Sequence, residues 1–209
     1  MHLSSPISCV IPGARGVVLE LLAGTFESLT GNQIAEMAGG RVSQSGVSKA
    51  LGPLVESGLV VCRPAGSAHL YTLNREHVGA AAVVDAASMR DELLARISRA
   101  VATWPIQPLA VWLFGSAARA SGDSASDIDL FVLRSNQVEI SDARWEAQTL
   151  ALTTSVTAWS GNACELLEYS AGEFAKLVKT QDHLVTSLRD DALVLYGSSA
   201  RDLMEGGRR

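Results

Sequence analysis

A glycine–serine pair and a pair of aspartates stand on either side of a short loop in the middle of the chain. Gly115 and Ser116 follow one apolar run, and Asp127 and Asp129 lie at the start of the next. Because residues i and i+2 of a strand point to the same face, the two carboxylates are expected on one face, about 6–7 Å apart along the strand. Carboxylates this close repel each other unless a cation lies between them, and hard oxygen ligands suit Mg²⁺, which usually also binds substrate phosphates.

The glycine–serine pair predicts the place where those phosphates bind. Gly115 lets the backbone approach a phosphate closely, because it has no Cβ atom. Ser116 is expected to open a helix, where free N–H groups and the helix dipole favour an anion. The two motifs together therefore predict carboxylates that hold a metal and face a phosphate cradle on the neighbouring strand.

The combination resembles the nucleotidyltransferase superfamily that includes DNA polymerase β, and most closely its minimal bacterial and archaeal members. The family pattern is Gly-Ser, a gap of about ten residues and Asp-x-Asp, and here the gap runs from 117 to 126. The resemblance implies transfer of a nucleoside monophosphate from a nucleoside triphosphate such as ATP to a hydroxyl. It also implies one or two Mg²⁺ ions held by Asp127 and Asp129, phosphates held by Gly115 and Ser116, and pyrophosphate paired with Arg119.

Active members of that family usually carry a third carboxylate on the following strand. Glu165 is the candidate here, as a catalytic residue and a metal ligand, because it shares a strand face with Leu167 and Tyr169 in the run 163–169. The family more often has aspartate at this position, and Glu165 could equally be a solvated residue. Nucleotide and metal binding are therefore expected more firmly than turnover.

The first third of the chain predicts three helices followed by a hairpin. Residues 14–76 resemble the winged helix-turn-helix family of bacterial regulators, through the segments 42–51, 54–60 and 71–74. In that family the third helix enters the DNA major groove and the hairpin touches the backbone. The resemblance assigns DNA contacts to residues of the third helix, to an arginine shortly before it and to the hairpin: Arg41, Gln44, Ser45, Ser48, Lys49 and Arg63.

The net charge of residues 1–85 limits the DNA binding that we expect. Residues 1–85 hold five arginine and lysine residues against six aspartate and glutamate residues. Because phosphate contacts dominate DNA affinity, a domain this close to neutral predicts weak or dimer-dependent binding. A winged helix that contacts a partner protein instead of DNA stays an open alternative. A homodimer is expected, since such regulators commonly pair to match a palindromic site.

The composition is that of an ordinary soluble protein. The 209-residue chain has a net charge of −5 and three scattered cysteines, a number and spacing that favour neither disulfides nor a zinc site. No signal peptide is evident near the start, and no segment approaches the ~20 apolar residues of a membrane span. We therefore expect a cytoplasmic protein that does not enter the membrane.

These features predict an α+β protein of two domains. Residues 1–78 form the winged helix-turn-helix domain, 79–104 a linker helix, and 105–209 a nucleotidyltransferase α/β domain with a small mixed sheet. The expected function is Mg²⁺-dependent nucleotidyl transfer to a macromolecular acceptor, either a protein or an RNA such as tRNA. Two alternatives remain: a DNA-binding transcriptional regulator whose second domain only senses a nucleotide, and a component of a toxin–antitoxin pair.

Overall fold

The computed structural model of the chain describes residues 1–119 and 126–206, with the side chains of the last two of these left out. Asp123, predicted to be a turn residue between the two motifs, lies outside the described residues. The contacts divide the chain into two compact units. One comprises His2 and Ser4–Arg90, and the other comprises Met1, Leu3 and Asp91–Arg209.

The first unit consists of helices and an antiparallel sheet. Its elements are a 3₁₀ helix at Pro6–Cys9, α1 (Ala14–Ala23), β1 (Leu29–Thr30), α2 (Gly31–Met37), α3 (Gln44–Glu56), β2 (Val60–Ala65), β3 (Ala68–Leu73) and α4 (Ala80–Ala87). The strands lie in the order β1-β3-β2, and β2 and β3 form the predicted hairpin. The helices and hairpin thus occur in the predicted order.

Local hydrogen bonds define where α2 and α3 begin. Thr30 and Gln33 form a capping box, in which each side chain accepts a hydrogen bond from the other residue's backbone N–H. Ser43 caps α3 by accepting from the Gly46 N–H. α3 then buries one face against the unit's core and leaves the other exposed; the buried residues are Val47, Ala50, Leu51 and Leu54.

The second unit is a mixed sheet with helices on both faces. Its elements are α5 (Met89–Ala102, in this unit from Asp91 onward), β4 (Ala110–Phe114), α6 (Gly115–Ala118), β5 (Ile128–Arg134), α7 (Ala143–Ser160), β6 (Cys164–Ser170), α8 (Ala171–Thr180), α9 (His183–Asp191), β7 (Leu193–Gly197) and α10 (Ala200–Gly206). In the described part of the chain the strand order is β6-β5-β4-β7, with β5 and β6 parallel and the other pairs antiparallel.

Alternation along the strands separates two layers of core. Ile128, Leu130 and Val132 of β5 pack with residues of α5 and α7. Phe131 and Leu133 face the other way and pack with residues of α8 and α9. Because Asp129 has the same parity as Phe131, its side chain belongs to the face covered by α8 and α9.

The segment 79–104, predicted as one linker helix, forms two helices instead. α4 ends at Ala87 and α5 starts at Met89. Ser88 lies between them, and its hydroxyl donates to the Val84 carbonyl, so a side chain competes with the backbone ladder at that point. The division between the two units follows directly after, at Arg90 and Asp91.

None of the helices in the described ranges combines the length and the apolar character needed to cross a membrane.

Candidate active site

Three neighbouring strands place Asp129 and Glu165 side by side. Asp129 is paired with Phe114 of antiparallel β4 and with Glu165 of parallel β6. Paired residues on adjacent strands project to the same face, with strands about 4.8 Å apart. We call Asp127, Asp129 and Glu165 the carboxylate row. Asp127 lies just before β5, which starts at Ile128, so it belongs to the loop end and not to the strand.

The three carboxylates of the row interact electrostatically. The pKa of Asp129 is raised above its ordinary value, first by burial and then by the negative charges of Glu165 and Asp127. The positive charge of Arg119 acts in the opposite direction and lowers it. Asp129 is half-buried, whereas Asp127 and Glu165 are exposed. The row therefore has one desolvated carboxylate flanked by two that reach solvent.

Gly115 contacts the row directly after β4 ends. Its φ is +69°, in the left-handed region that favours glycine. A Cβ atom built at this position would collide with Oδ2 of Asp129. The glycine of the Gly-Ser motif thus fulfils two conditions at once, because it permits the turn and leaves room for the carboxylate beside it.

The helix after this turn is shorter than the sequence suggests. α6 begins at Gly115 rather than at Ser116 and extends only to Ala118, with Phe114 as its N-cap in extended conformation. A helix of one turn carries little cumulative dipole, since the dipole is a sum over aligned peptide units. Any phosphate held here would therefore depend on individual N–H groups and the Ser116 hydroxyl.

Arg119, the residue after α6, makes an ion pair with α9. Its Nη1 donates to Oδ2 of Asp191 at 2.7 Å, and the two side chains are 49% and 31% exposed. Because Arg119 also lowers the pKa of Asp129, the guanidinium lies within electrostatic reach of the carboxylate row. The sequence analysis identified Arg119 but not Asp191, which has no motif around it.

A buried amide supports the other end of the row. Asn162 is 2% exposed, and its Nδ2 donates to the Ser126 carbonyl at 2.9 Å. The Ile128 N–H donates to the Ala163 carbonyl at 2.8 Å. These two bonds bracket Asp127 in the chain. Sequence reasoning missed Asn162, since the only signal is its place after the helix-ending Gly161.

The chemistry of the carboxylate row fits a divalent cation. Among the described residues, no set of three or more histidine, cysteine, aspartate or glutamate side chains is arranged to hold one metal ion. Mg²⁺ does not require such a set, because it is usually held by one or two carboxylates together with substrate phosphates and water. The pKa of Asp129 is raised first by burial and then by the negative charges of Glu165 and Asp127, and a bound cation would offset those two charges.

Glu168, the other glutamate of β6, lies on the opposite face. It pairs with Val132 in the ladder and accepts a 2.8 Å hydrogen bond from Nε of Arg134. Both side chains are largely buried, at 14% and 10% exposed. Glu168 therefore belongs to an ion pair with Arg134, on the face of the sheet opposite Asp129 and Glu165.

The residues that carry this geometry also match a known family. Residues 102–187 match the family model described as "Polymerase beta, Nucleotidyltransferase". The match supports the predicted nucleotidyltransferase superfamily for this part of the chain. It spans less than half of the sequence but contains the Gly-Ser turn and all three members of the carboxylate row. It ends before Asp191 and does not extend into the first unit, so the winged helix stays a prediction.

One solved structure shows a more distant likeness to this chain. It is titled "Crystal structure of the toxin-antitoxin with AMP-PNP", and it aligns with 55% of this chain and 86% of its own, at 17% identity and a TM-score of 0.37. A likeness at that score supports no conclusion about partners. No curated protein matches the sequence.

The residues predicted to contact DNA are all exposed in the first unit; they are Arg41, Gln44, Ser45, Ser48, Lys49 and Arg63. Arg41 forms an ion pair with Glu20 at 2.9 Å, and this negative partner weakens the attraction of Arg41 for an anionic ligand. Gln44 and Ser48 line a cavity of about 360 Å³ together with Thr30 and His69. This exposed face of α3 is available for a ligand, and DNA binding stays a prediction.

Proposed function

We propose that the protein is a Mg²⁺-dependent nucleotidyltransferase that moves a nucleoside monophosphate from a nucleoside triphosphate to a hydroxyl of a protein or RNA. One observation carries the proposal: Asp129 lies beside Glu165 in adjacent strands and against Gly115 of the Gly-Ser turn. The family match over residues 102–187 supports it independently. Carboxylates next to a tight, glycine-containing turn are the combination that metal-assisted phosphoryl chemistry uses.

Each residue has a defined part in this reaction. Asp127 and Asp129, with Glu165 beside them, are the residues that would hold Mg²⁺. When bound, Mg²⁺ supplies neutralisation of the charge on the triphosphate oxygens. Gly115 and Ser116 orient the phosphates through backbone N–H groups and the hydroxyl.

The bonds change at the α-phosphorus of the nucleotide. The acceptor oxygen forms a bond to that phosphorus, the bond to the β-phosphate oxygen breaks, and pyrophosphate leaves. Glu165 takes the proton of the acceptor hydroxyl, since it is exposed and adjacent to Asp129. Most of the rate enhancement comes from positioning and charge stabilisation rather than covalent catalysis.

An exposed site favours a large acceptor. Asp127 and Glu165 are both exposed, and Glu165 stands on β6, an edge strand of the sheet in the described part of the chain. A small acceptor is normally enclosed by a pocket that buries most of its surface. A protein or an RNA brings its own surface and does not need such a pocket.

The test is transfer of label from α-labelled nucleoside triphosphates in the presence of Mg²⁺ and a lysate of the host cell. The control is the Asp127→Ala/Asp129→Ala variant, shown to be folded by circular dichroism. Label that appears on protein or RNA with the wild-type chain, and does not appear with the variant, supports the proposal and identifies the acceptor class. Metal-dependent nucleotide binding without any transfer would replace it with the nucleotide-sensing regulator.

The exposed face of α3 favours a second role for the first unit. We infer that this unit presents the catalytic unit to DNA or to a partner protein, as a homodimer in the cytoplasm. Its polar residues can read base edges and its cations can neutralise phosphates. Binding to random duplex DNA at low and moderate salt tests this role, and Lys49→Ala and Arg63→Ala are expected to weaken binding and flatten its salt dependence. A toxin–antitoxin role, with a partner protein or tRNA as acceptor, is decided by the same labelling experiment.

A further inference from the structure

The ion pair between Arg119 and Asp191 joins two elements that are distant in the chain. Arg119 follows the Gly-Ser turn, and Asp191 is the last residue of α9, four residues beyond the matched family region. Nothing in the motif pattern selects Asp191. The ion pair therefore places the Asp191 carboxylate, which lies outside the motif, against Arg119, the side chain expected to bind the phosphates.

The contact has a geometric consequence for Arg119. Arginine has a long side chain with considerable rotamer freedom, and a bond at one end of its planar guanidinium fixes the orientation of the whole fork. The recorded bond to Asp191 uses Nη1, whereas a guanidinium carries five N–H donors. Arg119 can therefore stay bonded to Asp191 and still offer donors to a phosphate oxygen.

The charge environment favours this orientation. The positive charge of Arg119 lowers the pKa of Asp129, so the guanidinium that is bonded to Asp191 also acts on the carboxylate row. The neighbouring Asp190 has a different partner, since it accepts from Nε of Arg189 at 3.3 Å on the same helix. Of these two adjacent aspartates, only Asp191 is bonded to Arg119 in the structure.

We propose that Asp191 is a positioning residue, which holds the Arg119 guanidinium beside the carboxylate row so that it binds the terminal phosphates of a nucleoside triphosphate. This inference rests on the proposed function and identifies a specificity element of the same site. Asp191 acts only through Arg119. It is therefore expected to affect triphosphates and not monophosphates, which lack the phosphates that Arg119 meets.

The experiment is a double-mutant cycle on nucleotide affinity, with the full chain, Mg²⁺ and each of the four common nucleoside triphosphates. Asp191→Asn is expected to weaken triphosphate binding about fivefold, equivalent to about 1 kcal/mol. Asp191→Glu is expected to restore most of the affinity. In the Arg119→Gln background Asp191→Asn is expected to have no further effect, and nucleoside monophosphate affinity is expected to be unchanged throughout. Asp190→Asn is the matched control and is expected to bind like the wild type.

Two results would overturn the inference while leaving the proposed function intact. Tighter triphosphate binding by Asp191→Asn would mean that Asp191 competes with the phosphates for Arg119. An equal loss with and without Arg119 would mean that Asp191 acts on the fold, which the melting temperatures of the variants would show. A folded wild-type chain that binds no triphosphate would instead remove the proposed function, and this inference with it.

Discussion

Asp129 and Glu165 occupy paired positions in the parallel β5–β6 ladder, so two carboxylates share one face of the sheet at the edge of a glycine turn. Burial is the main cause of the raised pKa of Asp129, and the negative charges of Glu165 and Asp127 raise it further. Ionisable groups with perturbed pKa values cluster at functional sites. Five predictions follow from this relationship and its surroundings.

Asp129→Asn is expected to stabilise the metal-free protein while abolishing metal-dependent nucleotide binding. The pKa of Asp129 is raised in the folded state, so its ionised carboxylate lowers the free energy of unfolding at neutral pH. This destabilisation disappears as the pH falls through the raised pKa. We expect the variant to melt about 2 °C higher at pH 7, a small effect because solvent screens the group. The difference should shrink toward pH 4. A lower melting temperature at pH 7 would contradict the prediction.

Glu165→Gln and Glu168→Gln are expected to separate function from stability on one strand. Glu165→Gln should abolish transfer with little change in stability, because the side chain is exposed. Glu168→Gln should lower the free energy of unfolding by about 1–3 kcal/mol, because it removes the closer charged partner of buried Arg134 and leaves that guanidinium with Glu173 at 3.6 Å and the Val138 carbonyl. Denaturant unfolding and the labelling assay together test both. If Glu165→Gln transfers label normally, Glu165 is a solvated residue and not a catalytic one.

Gly115→Ala is expected to displace the Asp129 carboxylate and abolish nucleotide binding. The added methyl group both strains a backbone at φ +69° and collides with Oδ2 of Asp129. Gly161→Ala is the control, since Gly161 has φ +74° and open space around its Cβ position. Both variants should lose about 1 kcal/mol or more of stability from strain. Only Gly115→Ala should lose Mg²⁺-dependent nucleotide binding in a titration at a temperature where both are folded.

Asn162→Leu is expected to raise the Mg²⁺ concentration needed for half-maximal nucleotide binding. The change removes the bond to the Ser126 carbonyl and so frees the position of Asp127. Gln148→Met is the matched control, because Gln148 is also a buried amide, bonded to the Ile106 carbonyl at 2.8 Å. Each variant should lose about 1–3 kcal/mol of stability. A similar shift in Mg²⁺ dependence for both variants would mean that Asn162 acts only through global stability.

Cys164 is expected to resist alkylation, while the exposed Cys9 reacts readily. Burial raises the pKa of the Cys164 thiol to about 12, with further contributions from the negative charges of Asp129 and Glu165. Since the thiolate is the reactive species, little of it exists at pH 8. Asp129→Asn should lower this pKa and accelerate modification, measured by mass spectrometry after iodoacetamide treatment. Equal labelling of Cys164 and Cys9 in the folded wild-type chain would show that the thiol is not protected in this way.

Local sequence determined the elements and their boundaries to within a few residues. Thr30 with Gln33 and Ser170 with Glu173 both form the capping boxes that their spacing predicts, because these hydrogen bonds join residues only three positions apart. The apolar runs form β4, β5 and β6, because short apolar runs bounded by turn residues favour buried strands. The break at Ser88 was missed, since a serine inside an apolar helical pattern competes with the backbone only weakly.

The sequence alone also indicated which residues could do chemistry, because the Gly-Ser turn and the Asp-x-Asp pair are short-range patterns. Tertiary structure decided what surrounds them. Asn162 reaches the Ser126 carbonyl, next to Asp127, only because α7 returns the chain to the start of β5, and Asp191 reaches Arg119 only because α9 packs against α6. Such contacts depend on how helices cross the sheet, a long-range property for which no residue spacing provides a signal.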